Sequence, residues 1–198
     1  MSNTFKYFIV YKPFQMLSQF STDNNMKVLG ELFNFPKDVY PIGRLDYDSE
    51  GLLILSNDKK LFDRLLNPKH KHVRSYWVQV EGQMNLYALE DLKRGVEIKI
   101  DSKPYFTKRA LAQIIDEPQN LPERFPPVRY RKTIPTSWIE ISLTEGKNRQ
   151  VRKMTAQVGF PCLRLIRHKI ENLELPELSP GKIWEINKEE IYLKLGLH

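Results

Sequence analysis

Residues Tyr40 to Asn57 read YPIGRLDYDSEGLLILSN, and this stretch decides how the rest of the chain is read. Its apolar run, Gly51-Leu52-Leu53-Ile54-Leu55, is closed by Ser56-Asn57-Asp58. That is the length and punctuation of a buried strand rather than a helix. Just upstream, Gly43-Arg44-Leu45-Asp46 places a cation, an apolar residue and a carboxylate directly after a turn-forming glycine. Asp46 is therefore expected on a short loop that leads into a core strand. Such a carboxylate, with Arg44 two positions before it, has two readings. One is a structural ion pair of the weak kind common on surfaces; the other is a catalytic acid, base or nucleophile. The stretch alone leaves both open.

Working outward toward the N-terminus, Phe5 to Tyr11 is aromatic and β-branched and is expected as a strand ended by Lys12-Pro13. A loop follows through Ser18, with Phe14 and Met16 expected in the core. Met26, Leu29, Leu32 and Phe33 have helical spacing, which predicts a helix stopped by Pro36. On the other side, Asp58 is an N-cap for a helix through Leu66 that Asn67-Pro68 ends. The dense basic run Lys69 to Arg74 leads into a strand, Ser75 to Glu81, whose alternation puts Tyr76 on the face of Val78 and Val80. A helix over Leu86–Arg94 ends at Gly95, and strands are expected over Val96 to Ile100 and Ala110 to Ile115.

Asp116 to Thr136 differs in kind. Five prolines alternate with Arg124, Phe125, Arg129, Tyr130, Arg131 and Lys132, which predicts an irregular excursion. Cations and rings in such a loop suit phosphates and bases, and equally a solvated connector. Trp138 to Thr144 alternates as a strand and feeds Glu145-Gly146-Lys147-Asn148-Arg149-Gln150-Val151-Arg152-Lys153-Met154. A helix from Asn148 to Gly159 is expected, with Val151, Met154, Thr155 and Val158 buried. Arg149, Arg152 and Lys153 then share one side, and Lys147 and Arg149 beside the helix start make an anion site, against the plainer reading of a solvated basic face. A strand Cys162 to Ile166, then Arg167-His168-Lys169, a proline-bounded loop, a strand at Ile183 to Ile186 and a short helix complete the chain. The expected class is α+β: a mixed, largely antiparallel sheet of about eight strands with flanking helices.

A chain of 198 residues with 41% hydrophobic content can bury one sizeable core. No apolar run approaches the length of a membrane span, and Met1 to Lys6 lacks the features of a secretion signal; a cytoplasmic protein is expected. The lone Cys162 excludes an internal disulfide and a cysteine-based zinc site. His70, His72, His168 and His198 are scattered, so no metal site is assigned and His70-x-His72 reads as a solvated loop. The net charge of +7 points to a polyanionic partner. Dinucleotide and phosphate-loop fingerprints are absent.

Taken together, Gly43 to Asp46 with Ser49-Glu50-Gly51-Leu52-Leu53, Tyr76 in a strand, Glu145 to Met154, and Leu163-Arg164-Leu165-Ile166-Arg167 resemble the RsuA/RluB/RluE/RluF family of ribosomal-RNA pseudouridine synthases. The likeness covers nearly the whole chain in the family's order. In Pro127 to Trp138 it is nearest the compact RluE-type members that modify large-subunit (23S) RNA. Departures are Phe14-Gln15, where the family often has a glycine after Lys-Pro; Arg74, where many members have lysine; and Ile170-Glu171-Asn172-Leu173 in place of Ile-Gly-Pro-Leu.

The resemblance implies the pseudouridine synthase fold with a central RNA-binding cleft, in one catalytic domain over 1–198 without a separate N-terminal RNA-binding module. It implies Asp46 as the catalytic carboxylate, Arg44 filling the space of the flipped base, Tyr76 packing on the uracil and Arg152 pairing with Asp46. Lys147, Asn148, Arg149, Gln150, Lys153, Arg164 and Arg167 become RNA-binding residues. No cofactor or metal is called for, the partner is ribosomal RNA, and a monomer is expected. Two alternatives stay open: an RNA-binding or ribosome-assembly protein on the same fold that has lost catalysis, and a synthase acting on small-subunit RNA.

Overall fold

The computed structural model describes residues 4–129, 131 and 133–197. In chain order its strands and helices are β1 (Tyr7–Lys12), β2 (Met16–Leu17), β3 (Lys27–Val28), β4 (Tyr40–Pro41), β5 (Glu50–Ser56), α1 (Lys59–Leu66), β6 (Arg74–Glu81), α2 (Leu86–Arg94), β7 (Glu97–Ile100), β8 (Lys103–Phe106), β9 (Leu111–Ile115), β10 (Thr136–Leu143), α3 (Gln150–Gln157), β11 (Cys162–Ile170), β12 (Leu173–Glu174), β13 (Ile183–Glu185) and α4 (Lys188–Lys194). The chain divides into two units, Met1–Lys71 with Arg167–His198, and His72–Ile166. β11 passes from one to the other, residues 162–166 lying in the second and 167–170 in the first.

In the first unit β1 lies antiparallel between β5 and β13, in a register that sets Lys12 opposite Gly51 and Tyr7 opposite Ser56. β4 is antiparallel to β5. Both β1 and β5 are buried along their full length. Being covered on both faces, they read as continuous apolar runs instead of alternating. One face packs Ile9, Leu52, Ile54, Leu61 and Ile191; the other packs Val10, Met16, Leu29, Leu45 and Leu53. Asp58 caps α1 as expected, accepting from Lys60 N at 3.0 Å. Its other oxygen accepts from the hydroxyls of Tyr7 at 2.8 Å and Tyr192 at 2.7 Å, which ties α1 to β1 and α4.

The second unit has β10 antiparallel to both β6 and β9, with α2 and α3 contributing Leu89, Leu92, Val151 and Met154 to a core that includes Val78, Val80, Ile139 and Ile141. β7 and β8 form a separate antiparallel hairpin. The pairings given above are antiparallel, and β2 and β3 form a separate two-residue parallel pair.

Three expectations are corrected. The helix over Met26 to Phe33 is replaced by β3 and a single 3₁₀ turn, Leu29–Glu31. Leu29 faces the core with Leu32 beside it, but Met26 and Phe33 are exposed, and a Cβ on Gly30 would lie 2.9 Å from Phe20 O, so the chain is pinned against its neighbour before a helix can propagate. The helix after Glu145 starts at Gln150 rather than Asn148, because Arg149 takes a left-handed conformation (φ 52°), and it ends at Gln157, ahead of Gly159 with φ 90°. Arg167, His168 and Lys169 lie inside β11, which runs on to Ile170. Residues 116–135 are irregular where described; Tyr130 and Lys132 of that loop, the start at Met1 to Asn3, and His198 lie outside the described residues.

Candidate functional site: the Asp46 loop and the Glu145 loop

Asp46 sits on the eight-residue connection between β4 and β5, half-buried, with Arg44 exposed and Leu45 buried between them. This alternation follows from the sequence: Leu45 drops into the apolar cluster with Val10, Met16 and Leu53, and its charged neighbours are turned away from it. Asp46 O accepts from Ser49 N at 3.0 Å, closing a turn that delivers the chain into β5. Ser18 holds Leu45 from the other side, its hydroxyl donating to Leu45 O and accepting from Leu45 N. Gly51, with φ +109°, runs so close to Arg167 that a Cβ would lie 2.2 Å from Arg167 O. No other residue fits there. Arg167 is itself buried, and its Nε donates to Leu52 O at 2.8 Å.

The first unit also holds a group that the sequence reading passed over. Lys12 is fully buried, and its ammonium donates to Pro13 O at 2.8 Å and Met16 O at 2.7 Å. Burial pulls its pKa from 10.5 down to about 7; Glu50, Asp48 and Asp46 act in the opposite sense, and Arg167 adds to the fall. A lysine at a strand end is normally exposed, so nothing in the sequence marks it except the Lys-Pro pair. The loop it grips turns at Gln15, whose φ of 54° is the conformation a glycine adopts freely.

The second unit carries the remaining candidates. Tyr76 is partly buried on β6 and packs against the Val78 cluster, as its alternation predicted. Arg152 on α3 is half-buried, with Nη1 3.4 Å from both Cys162 O and Cys162 Sγ. Lys147, Asn148 and Arg149 are exposed, and Lys153 is partly so. Arg164 is buried, donating to Pro122 O at 3.0 Å, and Arg124 braces the same loop through Pro126 O, Pro127 O and Leu163 O. The structure thus places Arg44, Asp46 and Arg167 in the first unit, and Tyr76, Lys147, Asn148, Arg149, Gln150, Arg152, Lys153 and Arg164 in the second.

Glu145 organises the loop before α3. Its carboxylate accepts from Tyr105 OH at 2.6 Å, Lys108 N at 2.9 Å and Gln150 Nε2 at 2.6 Å. The bond to the carboxylate pushes the Tyr105 phenol up to about 12. Gln150 is buried, and its Oε1 accepts from Lys147 N at 2.9 Å, so that amide is already engaged within the loop. The Lys147 ammonium lies 5.0 Å from the centre of the Tyr105 ring. Sequence reading found the cations here but missed the carboxylate that shapes them, because its partners are 40 and 37 residues away.

Among the described residues no group of three or more His, Cys, Asp or Glu side chains is arranged to hold a metal, and no helix is long and apolar enough to cross a membrane. The chain is similar to known proteins along most of its length. The family model for RNA pseudouridylate synthase matches residues 6–157. The chain belongs to the RNA pseudouridylate synthase family. Among curated members it is 48% identical over 182 residues to ribosomal large subunit pseudouridine synthase E of Vibrio vulnificus (strain CMCP6), covering 92% of this chain and 75% of that one. It is 47% identical over 174 residues to the protein of the same name from Xanthomonas axonopodis pv. citri (strain 306), covering 87% and 89%. A pseudouridylate synthase crystal structure superposes with a TM-score of 0.77 at 24% identity, over 96% of this chain and 74% of that one, a likeness of fold. The pseudouridylate synthase family model spans both the Asp46 loop and the Glu145 loop.

Proposed function

We propose that this protein converts a uridine of large-subunit ribosomal RNA to pseudouridine, acting in the cytoplasm as a monomer, with Asp46 as the reacting carboxylate. The observation that carries the reading is the near-half identity, over about nine-tenths of the chain, to relatives named large subunit pseudouridine synthase E. The reaction is an isomerisation. The bond from the sugar C1′ to uracil N1 breaks, the uracil turns while held, C1′ joins C5, and the proton on C5 passes to a base. An ionised aspartate serves this by attacking the sugar or the base, or by taking the 2′ proton to give a glycal.

The target base must leave its stack, which costs a few kcal/mol that RNA contacts offset. Exposed Arg44, two residues from Asp46, is suited to occupy the vacated space. Tyr76 packs on the uracil and helps remove the C5 proton, and Arg152 serves as the partner cation that orients Asp46. Lys147, Asn148, Arg149 and Lys153 hold backbone phosphates, and Gln150, Arg164 and Arg167 serve RNA binding from buried positions, Gln150 bonding Lys147 N, Arg164 bonding Pro122 O and Arg167 bonding Leu52 O. The test is incubation of the pure protein with protein-free large- and small-subunit RNA transcripts, followed by carbodiimide-dependent primer-extension mapping. A new stop in the large-subunit transcript, absent with Asp46→Asn although that variant binds RNA within about tenfold of wild type, is the expected result. A stop in the small-subunit transcript alone would overturn the target, and turnover by Asp46→Asn would overturn the role of Asp46.

A further inference from the structure

Ser18 grips the peptide immediately before Asp46. Its hydroxyl, 6% exposed, donates to Leu45 O at 2.8 Å and accepts from Leu45 N at 3.0 Å. One side chain thus satisfies both backbone polar groups of a residue 27 positions away. The Leu45 side chain is meanwhile sunk in the apolar cluster, and Asp46 O is tied by Ser49 N. Leu45 is therefore held at its side chain and at both poles of its backbone, and the two residues it separates are Arg44 and Asp46.

We propose that Ser18 is a positioning residue for the reaction, setting the direction of the Asp46 carboxylate through the Leu45 peptide. This rests on the reading of Asp46 as the reacting group. With Ser18 removed, a buried N–H and C=O lose their partner at once, and the loop relieves them by turning. A rotation of about 30° at that peptide carries a carboxylate one residue on through ~2 Å, from ordinary covalent dimensions. A displacement of that size separates a reacting oxygen from its target, whereas RNA binding, spread over many cations, is little affected.

The same unit contains a natural control. Ser56 Oγ, fully buried at the far end of β5, donates to Lys6 O at 2.7 Å and accepts from Asp58 N at 3.0 Å. It makes the same kind of bridge, away from the Asp46 loop. The experiment compares Ser18→Ala, Ser18→Thr and Ser56→Ala in single-turnover rate, RNA affinity and Tm. For Ser18→Ala the expected result is a turnover loss of about 10- to 100-fold with RNA affinity within about threefold. Ser18→Thr recovers most of the rate, and Ser56→Ala loses Tm but keeps turnover within about twofold. Unchanged turnover in Ser18→Ala overturns the proposal, as does a loss of turnover in Ser56→Ala matching that of Ser18→Ala. Should Ser18→Ala not fold, Ser18→Cys carries the same comparison, because the thiol keeps the volume but bonds weakly; unchanged turnover there overturns the proposal too. Turnover by Asp46→Asn would fault the Asp46 reading instead, so the two failures are distinct.

Discussion

Lys12→Met isolates a charge that the fold strains against. The unfolded chain keeps the Lys12 proton up to its ordinary 10.5, whereas burial makes the folded chain release it near 7. Between those values unfolding takes up a proton, so Lys12 makes stability rise with pH, by about 1.4 kcal/mol per pH unit. Its penalty is complete below the folded value and gone above the unfolded one, and a fall from 10.5 to about 7 corresponds to about 5 kcal/mol in all. Methionine fills similar space without a proton, at the expense of the donors to Pro13 O and Met16 O, about 1–3 kcal/mol for each carbonyl left bare. That second loss is the same at every pH and does not enter the slope. Urea unfolding of both proteins at about pH 7.5 and about pH 9.5 should show the wild type gaining about 3 kcal/mol over the variant between the two. Parallel curves would refute the argument, and a wild type that loses ground with rising pH would show that Glu50, Asp48 and Asp46 hold the ammonium charged.

Gly51→Ala should destabilise the protein by about 3 kcal/mol or more, because the new methyl meets Arg167 backbone atoms rather than a side chain that can yield; a melting curve that superposes on wild type would contradict the close approach. Glu145→Ala should return the Tyr105 phenol from about 12 toward its ordinary 10, read by ultraviolet titration. It should also weaken RNA binding about three- to tenfold by loosening the Lys147 loop; an unmoved phenol would refute the first part and unchanged affinity the second. Arg152→Ala should lower turnover far more than Lys153→Ala, and lower salt should rescue only the latter. Equal losses with equal rescue would make Arg152 a phosphate contact.

Local sequence determined most of the elements. Asp58 and Asn85 cap α1 and α2 as their positions require, β6 and β10 alternate, and the run after Gly51 is too short and too apolar to be anything but a covered strand. These features depend on neighbours within a few residues, and periodicity and capping report them directly. The motifs around Asp46 and Glu145 were likewise legible as residue types in order. What the sequence did not determine was what each loop leans on. Met26 to Phe33 has helical spacing, yet the backbone of Phe20 beside Gly30 holds it in a strand and a single turn. Lys12 reads only as the residue that ends a strand, and is fully buried opposite Gly51 in the β1–β5 pair. Ser18 carries no mark of importance in the sequence, and the bracing bonds of Glu145 and Gln150 do not show there, since a serine or a carboxylate is ordinary until a distant group needs it. Those needs arise only when segments tens of residues apart are packed together and every buried N–H and C=O must find a partner, which makes the placing of Asp46 a property of the tertiary structure and its identity a property of the chain.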